Sequence, residues 1–162
     1  MSAGKRKPPK METDEAAMAG AQRKSTYLYA AAALLALVGL ADSIYLTIEH
    51  LSGRAVRCTI TSGCEEVLTS AYASIGSVPL AGVGAIAYFT AFSLATLAAF
   101  GNRRAGDLLF YLVALMLMVS IYLFILQAFV LHAFCQFCLL SATVTLLLAI
   151  IVSVERFYLR RK

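Results

Sequence analysis

Residues 108–131 read LLFYLVALMLMVSIYLFILQAFVL, a run without a single charge in which Ser120, Gln127 and two tyrosines are the only polar side chains. Crossing about 30 Å of hydrocarbon takes about 20 helical residues. A backbone in lipid must satisfy its own hydrogen bonds, so such a run is read as a spanning helix. Three further runs are long enough, at 27–48, 79–100 and 134–154. The composition agrees: 60% of the 162 residues are hydrophobic and 14% are charged, with a mean hydropathy of +0.79. Soluble domains carry about 25% charged residues. Too little polar surface is present to solvate a soluble enzyme of this length. The first run is too long for a signal-peptide core and follows a long polar tail, so it reads as a retained span.

The fold class is therefore all-α and integral to the membrane: a four-transmembrane-helix bundle with an extracytoplasmic loop, 49–78. The segments between the spans differ sharply in charge. Twelve of the 14 Lys and Arg residues lie in the tail 1–26, the 101–107 loop and the C-terminal 155–162, which share one side. Only Arg54 and Arg57 lie on the other. The positive-inside rule puts both termini in the cytoplasm. In so apolar a chain the net charge of +5 marks topology rather than a nucleic-acid partner. The tail 1–26, with Pro8, Pro9 and mixed charges, reads as disordered. The 155–162 stretch reads as a basic cytoplasmic tail.

All four cysteines then fall on the extracytoplasmic side, where disulfides persist. Cys135-Gln136-Phe137-Cys138 sits at the mouth of the fourth helix. Positions i and i+3 share a helical face, so the sulfurs can form a strained, reducible bridge. The helix N-terminus favours a thiolate at Cys135 and makes it a ready exchange partner. Tetrahedral zinc, drawing further ligands from Cys58, Cys64 or His132, and a purely structural disulfide are the alternatives for this motif. Cys58 and Cys64 lie in the outer loop with five residues between them. Ser62-Gly63-Cys64-Glu65 has the form of a capping box, and residues 65–72 then read as a short surface helix with Cys64 in its first turn. A mobile pair and a fixed pair on one side suggest a relay from the loop into the membrane.

Electrons delivered there need an acceptor, and no haem or flavin signature is present. A quinone diffuses in the bilayer and takes the two electrons that a dithiol gives. Its pocket is expected beside Cys138, at the outer ends of the helices. Candidates at that depth are Asp42, Gly84, Tyr88, Phe124 and Gln127. Asp42 stands out because an intramembrane carboxylate is costly and points to function. Ser43, Tyr45, Gly82 and His132 lie at a similar level. A different class of function, a metal-binding or transport protein using the four cysteines as ligands, remains open at this point.

The constellation resembles the vitamin K epoxide reductase family, and within it the bacterial disulfide-forming homologues. The resemblance covers about residues 27–154. It rests on Ala41-Asp42-Ser43-Ile44-Tyr45-Leu46-Thr47, the Cys58/Cys64 loop, the stretch from Val78 to Tyr88, and Cys135-Gln136-Phe137-Cys138. It implies a four-helix membrane redox domain around a quinone of the menaquinone, ubiquinone or phylloquinone type, in a bacterial inner membrane. It also implies catalytic roles for all four cysteines. Cys58 would meet a thioredoxin-like partner, Cys64 would exchange with Cys135, and Cys138 would face the quinone. Many bacterial members carry a fused thioredoxin-like domain after the last span. The chain stops at Lys162, so the partner is expected to be a separate extracytoplasmic, DsbA-like protein. Animal epoxide-reducing members place a Thr-Tyr-Ala motif just after the C-x-x-C. Leu139-Leu140-Ser141-Ala142-Thr143 stands here instead, which favours quinone over epoxide as the oxidant.

Overall fold

The computed structural model describes residues 10–53, 63–70, 73–75 and 78–159. Helix α1 runs Lys10–Leu51, α2 Cys64–Thr69, α3 Leu80–Ala99, α4 Arg103–Ile125 and α5 Gln136–Val154. Wide π-helical turns extend α4 over Leu126–Val130 and α5 over Glu155–Leu159. Among the described residues the only strands are β1, Ser74–Ile75, and β2, Val78–Pro79, which pair antiparallel with Ile75 opposite Val78. Among the described residues, four segments are long and apolar enough to cross a membrane: Gln22–Leu51, Leu80–Ala99, Arg103–Val130 and Gln136–Phe157. These are the four spans that the hydropathy anticipates.

One boundary differs sharply from the sequence expectation. The stretch read as a disordered tail is helical from Lys10 onward, continuous with the first span. From Lys10 the sequence is rich in strong helix formers, so local propensity favours the helix there. At the other end, the residues read as a basic tail continue α5 through Leu159.

The spanning helices pack as a ring, α1 on α3, α3 on α4, α4 on α5 and α5 on α1. Small residues let α1 and α3 come close. Ala32 and Ala36 on α1, and Ala91, Ala95 and Ala98 on α3, are buried in the main core with Leu109, Val113, Val144, Leu148 and Val152. The α3–α4 connection is tight because Gly101 takes φ +93, donates its N–H to Ala98 O (2.9 Å), and hands over to Asn102. Asn102 Oδ1 then accepts from Arg104 N (3.1 Å) and Ala105 N (3.3 Å), capping α4.

One end of the bundle is closed by polar contacts between its chain ends. Glu155, buried, accepts from Tyr29 Oη (2.6 Å) and Ser25 Oγ (3.0 Å). Arg156 pairs with Asp107 (2.8 Å) and lies over the rings of Phe110 and Tyr111. The opposite end holds a second cluster: Leu46, Cys64, Val67, Ala133 and Cys135.

Candidate active site

The connector between α4 and α5 sets the geometry of this end. In the π turn the N–H of Leu131 reaches back to Leu126 O (2.9 Å), which turns Gln127 inward, where it is 4% exposed. Gln127 then braces the connector twice. Its main-chain O accepts from Ala133 N (3.2 Å), and its Oε1 accepts from Cys135 N (3.0 Å). His132 makes the bend with φ +48.

Cys135 is the N-cap of α5, with extended backbone at φ −95, ψ 119, and its carbonyl accepts the first helical bond, from Leu139 N (3.0 Å). The C-x-x-C therefore occupies the cap and third helical positions. It does not sit on one face within the helix, as the i, i+3 reading has it. The N-cap site turns a side chain back toward the first turn, so Cys135 Sγ and Cys138 Sγ meet without both being helical. Both are free thiols, and Cys135 is fully buried. Cys135 lies in the connector, outside the spanning segments. Its thiol is held below the ordinary value, first by the hydrogen bond from the Cys138 thiol and then by the amides of Cys138 and Phe137, against an opposing effect of burial. Phe137 packs on Tyr45 of α1, with ring centres 5.4 Å apart, which anchors the start of α5.

Cys64 is buried and disulfide-bonded. It is the first residue of α2, and the N-cap is Gly63, with no side-chain cap bond. The capping box expected from Ser62 and Glu65 falls on side chains outside the described residues. Cys58 and Ser62 lie outside the described residues.

Beneath this layer a cavity of about 270 Å³ occupies the cysteine half of the bundle. Cys138 is on its wall. So are Asp42, Gly84, Tyr88, Phe124 and Gln127, all five residues singled out by depth in the sequence. Gly84 also lets α3 approach α1, since a side chain there would meet Ser43 Oγ at 3.3 Å. Tyr88 is nearly inaccessible, and its hydroxyl is already engaged. It donates to Ser141 O and meets the hydroxyls of Ser141 and Thr145, each at 2.8 Å. Phe124 sits at the rim with its ring 6.2 Å from that of Phe134. Tyr45, Gly82 and His132 are outside the lining. Ser43, placed at that level in the sequence, lines the cavity too, whereas sequence reading missed His50, Ser120, Ser141 and Thr145. For Ser141 and Thr145 the signal was present: they follow Cys138 by three and seven residues, one helical face.

The donor set fits a quinone headgroup. The ring needs an apolar slot, which Leu46, Ala87, Met116, Val119 and Leu139 provide. Its carbonyls need polar partners. Asp42 is 9% exposed, and its Oδ2 is the single buried side-chain oxygen or nitrogen without a hydrogen-bond partner among the described residues. A buried polar atom left unpaired costs about 1–3 kcal/mol. Such an atom on a cavity wall is a place for a ligand. Among the described residues, no three His, Cys, Asp or Glu side chains form a group that could hold a metal ion. Compared with known families, residues 30–153 match the model of the Vitamin K epoxide reductase family.

Proposed function

Because the chain belongs to the vitamin K epoxide reductase family, whose members are membrane thiol-disulfide oxidoreductases working with quinones, we propose that it reoxidises a separate thioredoxin-like protein and passes the electrons to a quinone. The product is a disulfide-bearing partner that oxidises secreted proteins. Cys58 and Cys64 take two electrons from the partner's dithiol. The pair then exchanges with Cys135 and Cys138. From Cys138, on the cavity wall, the two electrons leave as the Cys135–Cys138 disulfide forms, and two protons accompany them. The quinone, of menaquinone, ubiquinone or phylloquinone type, supplies a two-electron, two-proton acceptor soluble in the bilayer. Asp42 faces it as a proton-exchanging group, and Gln127, Tyr88, Gly84 and Phe124 shape the slot. The protein sits in a bacterial inner membrane with both termini cytoplasmic and the cysteines outside.

The observation that carries this reading is the free Cys135/Cys138 pair with Cys138 opening on an apolar cavity that contains an unpartnered carboxyl oxygen.

The test is anaerobic mixing of reduced protein with several quinones. One hydroquinone should form per two thiols lost, and Cys135→Ala or Cys138→Ala should abolish it. If both variants still oxidise a thioredoxin-like protein with quinone present, the reading fails.

A further inference from the structure

Gly63 has no conformational reason to be glycine. Its φ of −98 and ψ of 8 are open to any residue. Its reason is contact. A Cβ built there would lie 2.8 Å from Ala133 Cβ and 2.8 Å from Phe134 N, too close for either to remain in place. The missing side chain lets the backbone just before Cys64 rest directly on the backbone just before Cys135. Both cysteines are buried in the same small cluster as a result.

Neither partner in this contact yields easily. The connector is held from below by the two Gln127 hydrogen bonds, to Ala133 N and Cys135 N. Gly63 is fixed to α2, because its carbonyl accepts from Val67 N (3.1 Å). A side chain at this position would therefore lift α2 and Cys64 together off the connector.

We propose that Gly63 is a positioning residue for the step between the two cysteine pairs, its bare Cα seating Cys64 on Cys135. This rests on the reading that electrons pass from the loop pair to the bundle pair. In that step the Cys64 thiolate attacks Cys135 Sγ. A Cys64–Cys135 bond forms, the Cys135–Cys138 bond breaks, and the electron pair leaves on Cys138 Sγ, which takes a proton. The Cys58 thiolate then attacks Cys64 Sγ, closing Cys58–Cys64 and releasing Cys135 as thiolate. Two electrons have moved inward. The lowered thiol of Cys135 makes it a good leaving group in the second displacement. Both displacements need sulfurs in line and in contact, so a small displacement of α2 slows them steeply.

Two backgrounds separate this step from its neighbours. In Cys58→Ala/Cys138→Ala protein only Cys64 and Cys135 remain, and the rate at which diamide couples them reads their apposition. Gly63→Ala should slow coupling at least tenfold and Gly63→Val further. Glu66→Ala, an exposed change on the same short helix, should leave it unchanged. In Cys58→Ala/Cys64→Ala protein, dithiothreitol feeds the bundle pair directly. There Gly63→Ala should keep both kcat and KM for decyl-benzoquinone within twofold. Unchanged coupling in Gly63→Ala overturns the proposal. So does an equal loss in Glu66→Ala, or a parallel loss of dithiothreitol-driven turnover, since either means general damage to the fold. If Gly63-intact protein of the second background reduces no quinone, the proposed function fails, while the coupling comparison still decides the role of Gly63.

Discussion

Cys135 differs from its neighbours by one backbone feature: it caps a helix without belonging to it. That position puts its sulfur beside the Cys138 thiol and the first-turn amides, whose lowering influence outweighs burial. A lowered thiol titrates at lower pH, so its thiolate is populated where a free cysteine, near 8.5, is still protonated. Alkylation of Cys135 in reduced protein should rise with an inflection below that value. In Cys138→Ala the inflection should move up, because the largest lowering influence is gone. An unmoved inflection would mean that the helix end alone sets the reactivity. Asp42 poses the matching question on the cavity side. As a proton-exchanging group it should contribute about 10²-fold to turnover. Asp42→Asn should reduce kcat by about that factor in quinone reduction, with the number of titratable thiols unchanged. An unchanged kcat would reduce Asp42 to a packing residue.

Among the helices, Tyr88 ties together three: α1, its own α3, and α5. Its ring lies against the bare face of Gly39 on α1, where any Cβ would collide with it. Its hydroxyl crosses the ring of helices from α3 to Ser141 and Thr145 on α5, one and two turns below Cys138. Overpacking a seated core side chain costs about 1–3 kcal/mol. Gly39→Ala should therefore lower thermal stability by about that amount and push Tyr88 toward the cavity, raising KM for quinone. Tyr88→Phe keeps the ring and removes the bonds. It should cost about 1–3 kcal/mol, measured by thermal unfolding in detergent. Nothing in the letters around Tyr88 marks this role. A tyrosine on a spanning helix has the same appearance whether it meets a ligand or another helix. Gly39 is equally silent, because close approach depends on which residue of a distant helix arrives there.

At the scale of the whole molecule the two ends do different work. The cysteine end carries the thiols and the cavity. The opposite end is a lock in which Glu155 joins α5 to Ser25 and Tyr29 on α1, while Arg156 joins α5 to Asp107 on α4. The two ends are separated by the length of the main core, so they should respond independently. Glu155→Ala leaves the buried Tyr29 hydroxyl without that acceptor and should destabilise by about 1–3 kcal/mol. Quinone KM and the Cys64–Cys135 coupling rate should stay within twofold. A selective loss of redox activity with unchanged unfolding would refute this division.

The number of spans, and the level of the bundle at which Asp42, Gly84, Tyr88, Phe124 and Gln127 lie, were legible because each depends on local quantities: run length, hydropathy and depth along a helix. The membrane makes these nearly sufficient, since an apolar run of spanning length has little choice but to be a helix. The family resemblance was legible for a similar reason, resting on short motifs at fixed spacing. Tertiary structure alone decided the rest. The helix that extends α1 back to Lys10 follows strong local propensity that mixed charge and nearby prolines obscured. That Gly63 lies against Ala133, that Gln127 grips Cys135 through the backbone, and that Tyr88 spends its hydroxyl on α5 all depend on which distant segment arrives beside each residue. Contacts across the chain are set by how helices of given shape can fill one volume, and a linear pattern of letters does not contain that volume.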